Sequence, residues 1–325
     1  MDRIQVREPT DVATARRRIV GLAVRLGYSE TEAGRVAIVA TELAQNVLRH
    51  GGGGEILAGG DRLHPGNIEI LALDKGPGMA DVAACMRDGF STGGTSGQGL
   101  GAIERQARQV LIHSRPGAGT AVLARVGEKT AAATSASAVL CVPKPGEEVC
   151  GDAGCIVSRP DGTVAMVLAD GLGHGPLAAA ASQEAVRLFQ NTMTATPAEV
   201  LAILHAGLRA TRGAAVATAL IDPARRQVTY GGIGNIAGFI TDSGGIRRMV
   251  SHSGTAGHTA GKMHAFLYPM HHRPVVVMFS DGLATSWSPD SHAGLFTQDA
   301  TLIAAVLYRD HARGRDDASV VVWKG

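Results

Sequence analysis

Two runs decide the fold of the first half of the chain: DKGPGM at Asp74–Met79 and FSTGGTSGQGLG at Phe90–Gly101. Glycine at 76, 78, 89, 93, 94, 97, 99 and 101 lets the backbone turn through positive φ and approach a ligand closely. The second run leads into AIERQARQVLI, whose apolar spacing and lack of Gly and Pro predict a helix. A helix N-terminus behind glycine amides is a seat for phosphate. Asp74 closes the strand-like run IEILALD, where its carboxylate can accept from an exocyclic amine. Taken singly, DKGPG is an ordinary turn and GQGLG a weak motif. A third stretch, VAIVATELAQNVLRHG, changes the reading. It sets Val36, Val39, Leu43 and Val47 at helical spacing, with Glu42 and Asn46 one turn apart on a common face. A carboxylate that can take a proton and an amide oxygen that can hold Mg²⁺ are what phosphoryl transfer uses beside a triphosphate.

In this order, the three pieces resemble the GHKL ATPases and kinases. ELAQN is similar to that family's N-box, DKGPG to its first glycine box and GQGLG to its last, while HSRPGAGTAV is similar to its final strand. The short Ser/Thr-Gly stretch DGFSTGGTSGQGLG resembles the RsbT-type switch serine kinases in particular. The resemblance implies a Bergerat-type α/β sandwich over residues 1–126, with helices on one face of a mixed sheet, that binds ATP and Mg²⁺. It implies that Glu42 orients or deprotonates the acceptor hydroxyl, Asn46 holds Mg²⁺ and Asp74 binds adenine, with Thr120 beside it. Gly76, Gly78, Gly97, Gly99, Leu100 and Gly101 would line the nucleotide.

A chain of 325 residues has room for two domains, each with its own core. Charged residues make up 18% and aromatics 4%, so the cores should be mostly Ala, Val, Leu and Ile. A formal net charge of +2 gives no sign of nucleic acid as a main partner. Cys85, Cys141, Cys150 and Cys155 form no CxxC pair and read as reduced thiols. MDRIQVREPTD lacks an apolar signal core and no apolar run approaches the length of a membrane span, so the expectation is a soluble, cytoplasmic protein with no membrane partner.

Along the first half, Gly27 is placed to end one helix, and Ser29 with Glu32 resembles a capping box for the next. GEILAGGDRL and NIEILALD read as a hairpin around HPGN, followed by a short helix near residues 81–88 and a final hairpin turning at RPGAG. GEKTAAATSAS breaks every period and reads as a linker over 127–137. A strand, AVLCVPKP, then opens a second region over 138–325. SQEAVRLFQNTM and PAEVLAILHAGLRAT read as amphipathic helices over a β-sandwich, and His271 and His272 as exposed.

The second region carries acids in strand-then-turn settings: Asp152 in GDAG, Asp170 in VAMVLADGLGHG, Asp281 in PVVVMFSDGLATS, and Asp316 and Asp317 in GRDDASVVVW. Asp170 and Asp281 each follow an apolar run and precede Gly, which sets a carboxylate at the open end of a buried strand. Clustered hard oxygens suit Mg²⁺ or Mn²⁺, and two such ions can drive in-line hydrolysis of a phosphate ester. For either site alone, DG is also a common turn.

GEEVCGDAG, ADGLGHG, GGIGNI, FSDGL and RDDASVVV together resemble the SpoIIE branch of the metal-dependent PPM Ser/Thr phosphatases, and PKPGEEVCGD resembles its RsbX-type members. The resemblance implies an αββα sandwich holding two Mn²⁺ or Mg²⁺ ions. Their ligands would be Asp152, Asp170 as the bridge, the Gly171 carbonyl, Asp281, and Asp316 rather than its neighbour Asp317. His174 either protonates the leaving alkoxide or stabilises its loop. No Arg matches the phosphate clamp of some PPM enzymes. Together the resemblances imply a bifunctional regulator of a partner-switching or stressosome pathway. Its substrate would be a STAS-domain antagonist, with a sigma factor or a downstream phosphatase as a further partner. Two alternatives are an anti-sigma factor that sequesters a sigma subunit, and a phosphatase governed by a catalytically inactive ATP-sensing domain.

Overall fold

The computed structural model describes residues 1–61, 66–85, 99–127, 134–192, 194–261 and 263–325. The chain divides into two units, Met1–Thr134 and Ser135–Gly325. The first runs β1 (Asp2–Val6), α1 (Pro9–Arg25), α2 (Glu30–Arg49), β2 (Gly54–Gly60), β3 (Ile68–Asp74), α3 (Val82–Cys85), α4 (Gly99–Gln106), β4 (Gln109–Ser114) and β5 (Thr120–Val126).

The start of α2 is set by its cap. Ser29 Oγ accepts from the Glu32 N–H, and the Glu32 carboxylate accepts from the Ser29 N–H at 2.8 Å. Gly27, at φ 82°, closes α1 just before it. The apolar stripe of α2, Val36, Val39, Leu43 and Val47, is buried against Ile56, Ile70, Ala72 and Val122 of the sheet. Ile19 of α1 and Ile103 of α4 join the same core, so the helices share one face. The strand order is β1-β2-β3-β5-β4. Every pairing in it is antiparallel, which corrects the expectation of a mixed sheet. Strand β1 was not foreseen; it pairs along all of its five residues with β2, from Asp2↔Ala58 to Val6↔Gly54. The expected helix near 81–88 is α3, and its last three residues lie outside the described ones.

The second unit runs β6 (Ser137–Val142), β7 (Asp152–Ser158), β8 (Val164–Gly171), α5 (Pro176–Gln190), α6 (Pro197–Gly207), β9 (Ala214–Asp222), β10 (Gln227–Ile233), β11 (Ala237–Asp242) and β12 (Gly245–Met249). The short β13 (Gly254–Thr255) and β14 (Thr259–Ala260), β15 (Phe266–Pro269), β16 (Val275–Phe279), α7 (Ala300–His311) and β17 (Ala318–Lys324) complete it. The linker expected over 127–137 ends earlier than foreseen. Ser135 already belongs to this unit, its N–H held by Asp299 at 2.6 Å, and Ser137 begins β6.

Two five-stranded antiparallel sheets, β15-β10-β9-β8-β7 and β12-β11-β16-β17-β6, stack face to face. The period of two decides which side chain goes where. In β8, Met166 and Leu168 point between the sheets toward Met278 and Val321, while Ala165, Val167 and Ala169 point out under α5 and α6. Helix α7, buried over most of its length, packs on β17 and β6. The result is an αββα sandwich.

The register brings all the acidic positions to one end of this sandwich. Asp152 begins β7 and Asp170 lies near the end of β8, directly opposite it. Asp281 follows β16, and Asp316 and Asp317 precede β17. The turn after Asp281 runs so close to β17 that a Cβ at Gly282 would overlap the Asp317 carbonyl oxygen. Gly282→Ala is therefore expected to destabilise this unit by about 1–3 kcal/mol, read as a lower denaturant midpoint of its transition. By contrast, Gly34 sits exposed in α2 with nothing within 4 Å of an added Cβ. Gly34→Ala should raise the first unit's stability by about 0.5–1 kcal/mol.

Candidate active sites

In the first unit, Glu42 and Asn46 approach the N-terminus of α4. Glu42 and Asn46 are half-buried on the face of α2 beside its apolar stripe. A Cβ added at Gly99 would stand 3.1 Å from Glu42 Oε2 and 3.5 Å from Asn46 Oδ1. The first turn of α4 thus lies in close contact with these two side chains, and Leu100 and Gly101 continue that turn. Gly97 lies outside the described residues.

Asp74 is the last residue of β3 and is buried. Its Oδ1 accepts from the Gly76 N–H at 2.9 Å and from the Thr120 N–H at 3.2 Å. These bonds fix the carboxylate at the point where DKGPG turns, with Gly78 at φ 70° on the far side of the turn. Thr120 shares a hydroxyl hydrogen bond of 2.9 Å with Ser114, whose Oγ also accepts from the Met79 N–H. Ser114 thus ties the turn to β5. It was not singled out in the sequence, although it lies inside HSRPGAGTAV. The arrangement fits a nucleotide: a fixed carboxylate for an amine, a helix N-terminus that opens on Gly99, and a carboxylate and an amide beside it.

In the second unit, Asp170, Asp281 and Asp316 line one cavity of about 230 Å³, together with Lys144, His174 and Asn235. Asp152 lies behind Asp170, directly opposite it across the β7–β8 ladder. One of its oxygens accepts from the Ser280 hydroxyl at 2.7 Å, and the other is buried with no hydrogen-bond partner. Like charges facing each other across two strands repel, and burial adds to the cost. Burial accordingly pushes the Asp170 carboxyl well above the usual range, and the charges of Asp152, Asp281 and Asp316 push it further. Burial raises Asp152 too, against the opposing bond from Ser280. Asp281 rises through burial and through Asp316, with Arg313 and Arg315 pulling the other way.

Asp316 and Asp317, the two residues that lead into β17, face different surroundings. Asp316 faces the cavity, while Asp317 is buried and its Oδ1 accepts from the Lys144 N–H at 2.9 Å. A Cβ at Gly171 would overlap the Ala178 carbonyl oxygen, so the loop after Asp170 is pressed onto the start of α5. His174 sits at the rim, its Nδ1 2.6 Å from Glu147 Oε1. Asn235, within the GGIGNI run, donates to Asp281 Oδ2 at 2.7 Å. His271 and His272 are exposed, as expected.

The donor set fits divalent cations: hard oxygens, a buried carboxylate oxygen without a partner, and opposed like charges that a cation would relieve. Among the described residues, no three His, Cys, Asp or Glu side chains already converge as a finished metal cage. Asp152 and Asp281 are instead turned onto Ser280 and Asn235. Sequence reasoning missed Ser280, Asn235, Glu147 and Lys144. All four stand inside the quoted motifs, Ser280 directly before Asp281.

Known proteins agree with this division. Residues 160–323 match the family model of stage II sporulation protein E (SpoIIE), and residues 6–126 that of the histidine kinase-like ATPase domain. Serine/threonine-protein kinase RsbT of Bacillus subtilis (strain 168) is 32% identical over 123 residues, which is 37% of this chain and 92% of RsbT. Among solved structures, RsbX in complex with magnesium aligns with a TM-score of 0.51 at 20% identity, over 58% of this chain and 94% of its own. A structure from work on the bacterial stressosome as a modular system controlling secondary messenger signalling aligns with a TM-score of 0.54 at 24% identity, over 57% of this chain and 97% of its own. Both share the fold. The two resemblances drawn from the motifs, and the two-part α/β architecture, are borne out. No helix among the described residues is long and apolar enough to cross a membrane.

The raised carboxylates give a signed pH effect. In the folded, metal-free protein Asp152, Asp170, Asp281 and Asp317 hold protons that unfolded aspartates release above roughly pH 4. Here the folded state binds more protons than the unfolded one, so stability must fall as pH rises from there toward the raised folded values. In EDTA, the second unit's melting temperature is expected to drop between about pH 5 and about pH 8. Added Mn²⁺ should reverse the drop, most strongly at the upper end, because binding must displace those protons. A flat profile in EDTA would contradict the cluster.

Proposed function

The chain belongs to the SpoIIE family through its second half and to the RsbT family of kinase-like ATPase domains through its first, and on that premise we propose a bifunctional regulator. One half transfers phosphate from ATP to a serine of a partner protein, and the other removes phosphate from phosphoserine or phosphothreonine. The kinase domain is assigned to residues 1–126 and the phosphatase domain to 138–325. The partner is a STAS-domain protein of a partner-switching or stressosome assembly. The kinship with RsbT and the fold shared with a protein from stressosome work support this choice.

For the kinase, Glu42 orients or deprotonates the acceptor hydroxyl, and Asn46 holds the Mg²⁺ that accompanies ATP. Asp74 accepts from the adenine amine, with Thr120 beside it and Gly76 and Gly78 shaping the turn. The amides of Gly99, Leu100 and Gly101, at the start of α4, receive the phosphates, together with that of Gly97, which lies outside the described residues. Little covalent chemistry is asked of the protein; positioning and charge neutralisation carry the transfer.

For the phosphatase, the carrying observation is the direct opposition of Asp152 and Asp170 at an end of the sandwich shared with Asp281 and Asp316. Asp152, Asp170, the Gly171 carbonyl, Asp281 and Asp316 would hold two divalent cations, Mn²⁺ or Mg²⁺. Such ions supply positive charge to phosphoryl oxygens and lower the pKa of water. Asp170, central to the set, would be among the residues that hold them. Ser280 and Asn235 hold Asp152 and Asp281 in place. His174, held by Glu147 on the wall of the same cavity, would protonate the departing serine oxygen.

Incubation with Mg-ATP and a stressosome STAS protein, followed by mass spectrometry, tests the first half. Glu42→Ala should lower phosphorylation at least about 100-fold, and an unchanged rate would refute its role. The second half should release phosphate from the phosphorylated STAS protein only with Mn²⁺ or Mg²⁺. Asp281→Ala should abolish that release without affecting phosphorylation, whereas turnover retained in EDTA would rule out the metal-dependent reading.

A further inference from the structure

We propose that Lys144 is the phosphoryl-binding cation of the phosphatase site, in the role for which no arginine could be found in the sequence. The proposal rests on the phosphatase reading above and names the residue by which that site holds its substrate's phosphate.

Lys144 opens the turn Lys144-Pro145-Gly146-Glu147, which follows β6. Proline presets the first central position, and Gly146 takes φ 91° at the second, which a side chain would resist. The Glu147 N–H closes the turn on the Lys144 carbonyl at 3.0 Å. Two further bonds anchor it to the acidic end of the sandwich. The Lys144 N–H donates to Asp317 Oδ1 at 2.9 Å, and Glu147 grips His174. Asp317, the buried partner of cavity-facing Asp316, therefore acts on the site through Lys144, holding its backbone at the cavity wall.

Lys144 is the lone Lys or Arg among the residues lining the cavity. Yet among the described residues its ammonium makes no ion pair within 4.0 Å, although Asp170, Asp281 and Asp316 line the same cavity. A lysine placed to neutralise those acids would be expected to lie against one of them. This one is left available. Once divalent ions have cancelled the carboxylates, Lys144 supplies positive charge against a dianionic phosphoryl group, as a compact point charge with three donors. The ligand class is a phosphate monoester dianion, and free phosphate, the product, shares its chemistry.

The full-length protein loaded with Mn²⁺ provides the test, with p-nitrophenyl phosphate as substrate and inorganic phosphate as a binding probe in calorimetry. Lys144→Met should weaken phosphate binding about tenfold and raise KM for the ester by a similar factor. The Mn²⁺ isotherm and the melting temperature should stay near wild type. Lys144→Arg, which keeps the charge, should recover most of the phosphate affinity. Phosphate affinity in Lys144→Met within twofold of wild type would overturn the assignment and leave the phosphatase reading standing. Loss of Mn²⁺ binding in Lys144→Met would also overturn it, making Lys144 a structural element of the metal site. A wild-type protein that neither binds Mn²⁺ nor cleaves the ester would remove the phosphatase reading itself, and Lys144's role with it.

Discussion

Two carboxylates held face to face across a pair of β-strands are the constraint on which the second half of this chain depends. Asp152 and Asp170 oppose each other in register between β7 and β8, and Asp152 is buried. Left alone, such a pair repels and holds protons to survive. It persists because both sides of β8 are committed elsewhere, to the inter-sheet core through Met166 and Leu168 and to the helical layer through Val167 and Ala169. A register slip by one residue would relieve the carboxylates but would exchange every one of those apolar contacts. The sandwich thus holds charges in an arrangement that is unfavourable until a cation arrives.

The first half solves a related problem in the opposite way. Asp74 is also a buried carboxylate at a strand end, but its Oδ1 receives two backbone N–H bonds within the unit. Peptide dipoles do there what cations are needed for in the other half. Its carboxylate is therefore fixed before any ligand binds, as suits the reading of one exocyclic amine. Glu42 and Asn46 gain their setting differently. They ride on the flank of a helix whose other side is locked by Val36, Val39, Leu43 and Val47, so the core stripe aims the polar pair at Gly99.

Much of this was legible in the sequence because the relevant signals are local. The helical spacing of α2, the Ser29–Glu32 cap and the DG turns after apolar runs each depend on a handful of adjacent residues. What stayed hidden depended on pairing. Strand β1 is only five residues long and has meaning through its partner β2; the antiparallel direction of the first sheet likewise belongs to neighbours far apart in sequence. The opposition of Asp152 and Asp170 could not be read without a register. The choice between Asp316 and Asp317 could be posed from the motif, but which residue faces the cavity depends on the turn at Lys144, whose N–H holds Asp317 while Asp316 lines the cavity. Lys144 carried no signal of its own, since a lysine before Pro-Gly reads as an ordinary exposed turn.

The two candidate sites draw on separate cores. The buried cluster around α2 draws on residues from Ile4 to Val126, while the clusters of the sandwich draw on residues from Val139 onward. Each site is therefore aimed by packing that belongs to its own unit: Glu42 by the stripe on α2, Asp170 by the two faces of β8. Substitutions far apart with no shared partners act nearly additively. A substitution in one of these clusters is therefore expected to act first on the site which that cluster aims.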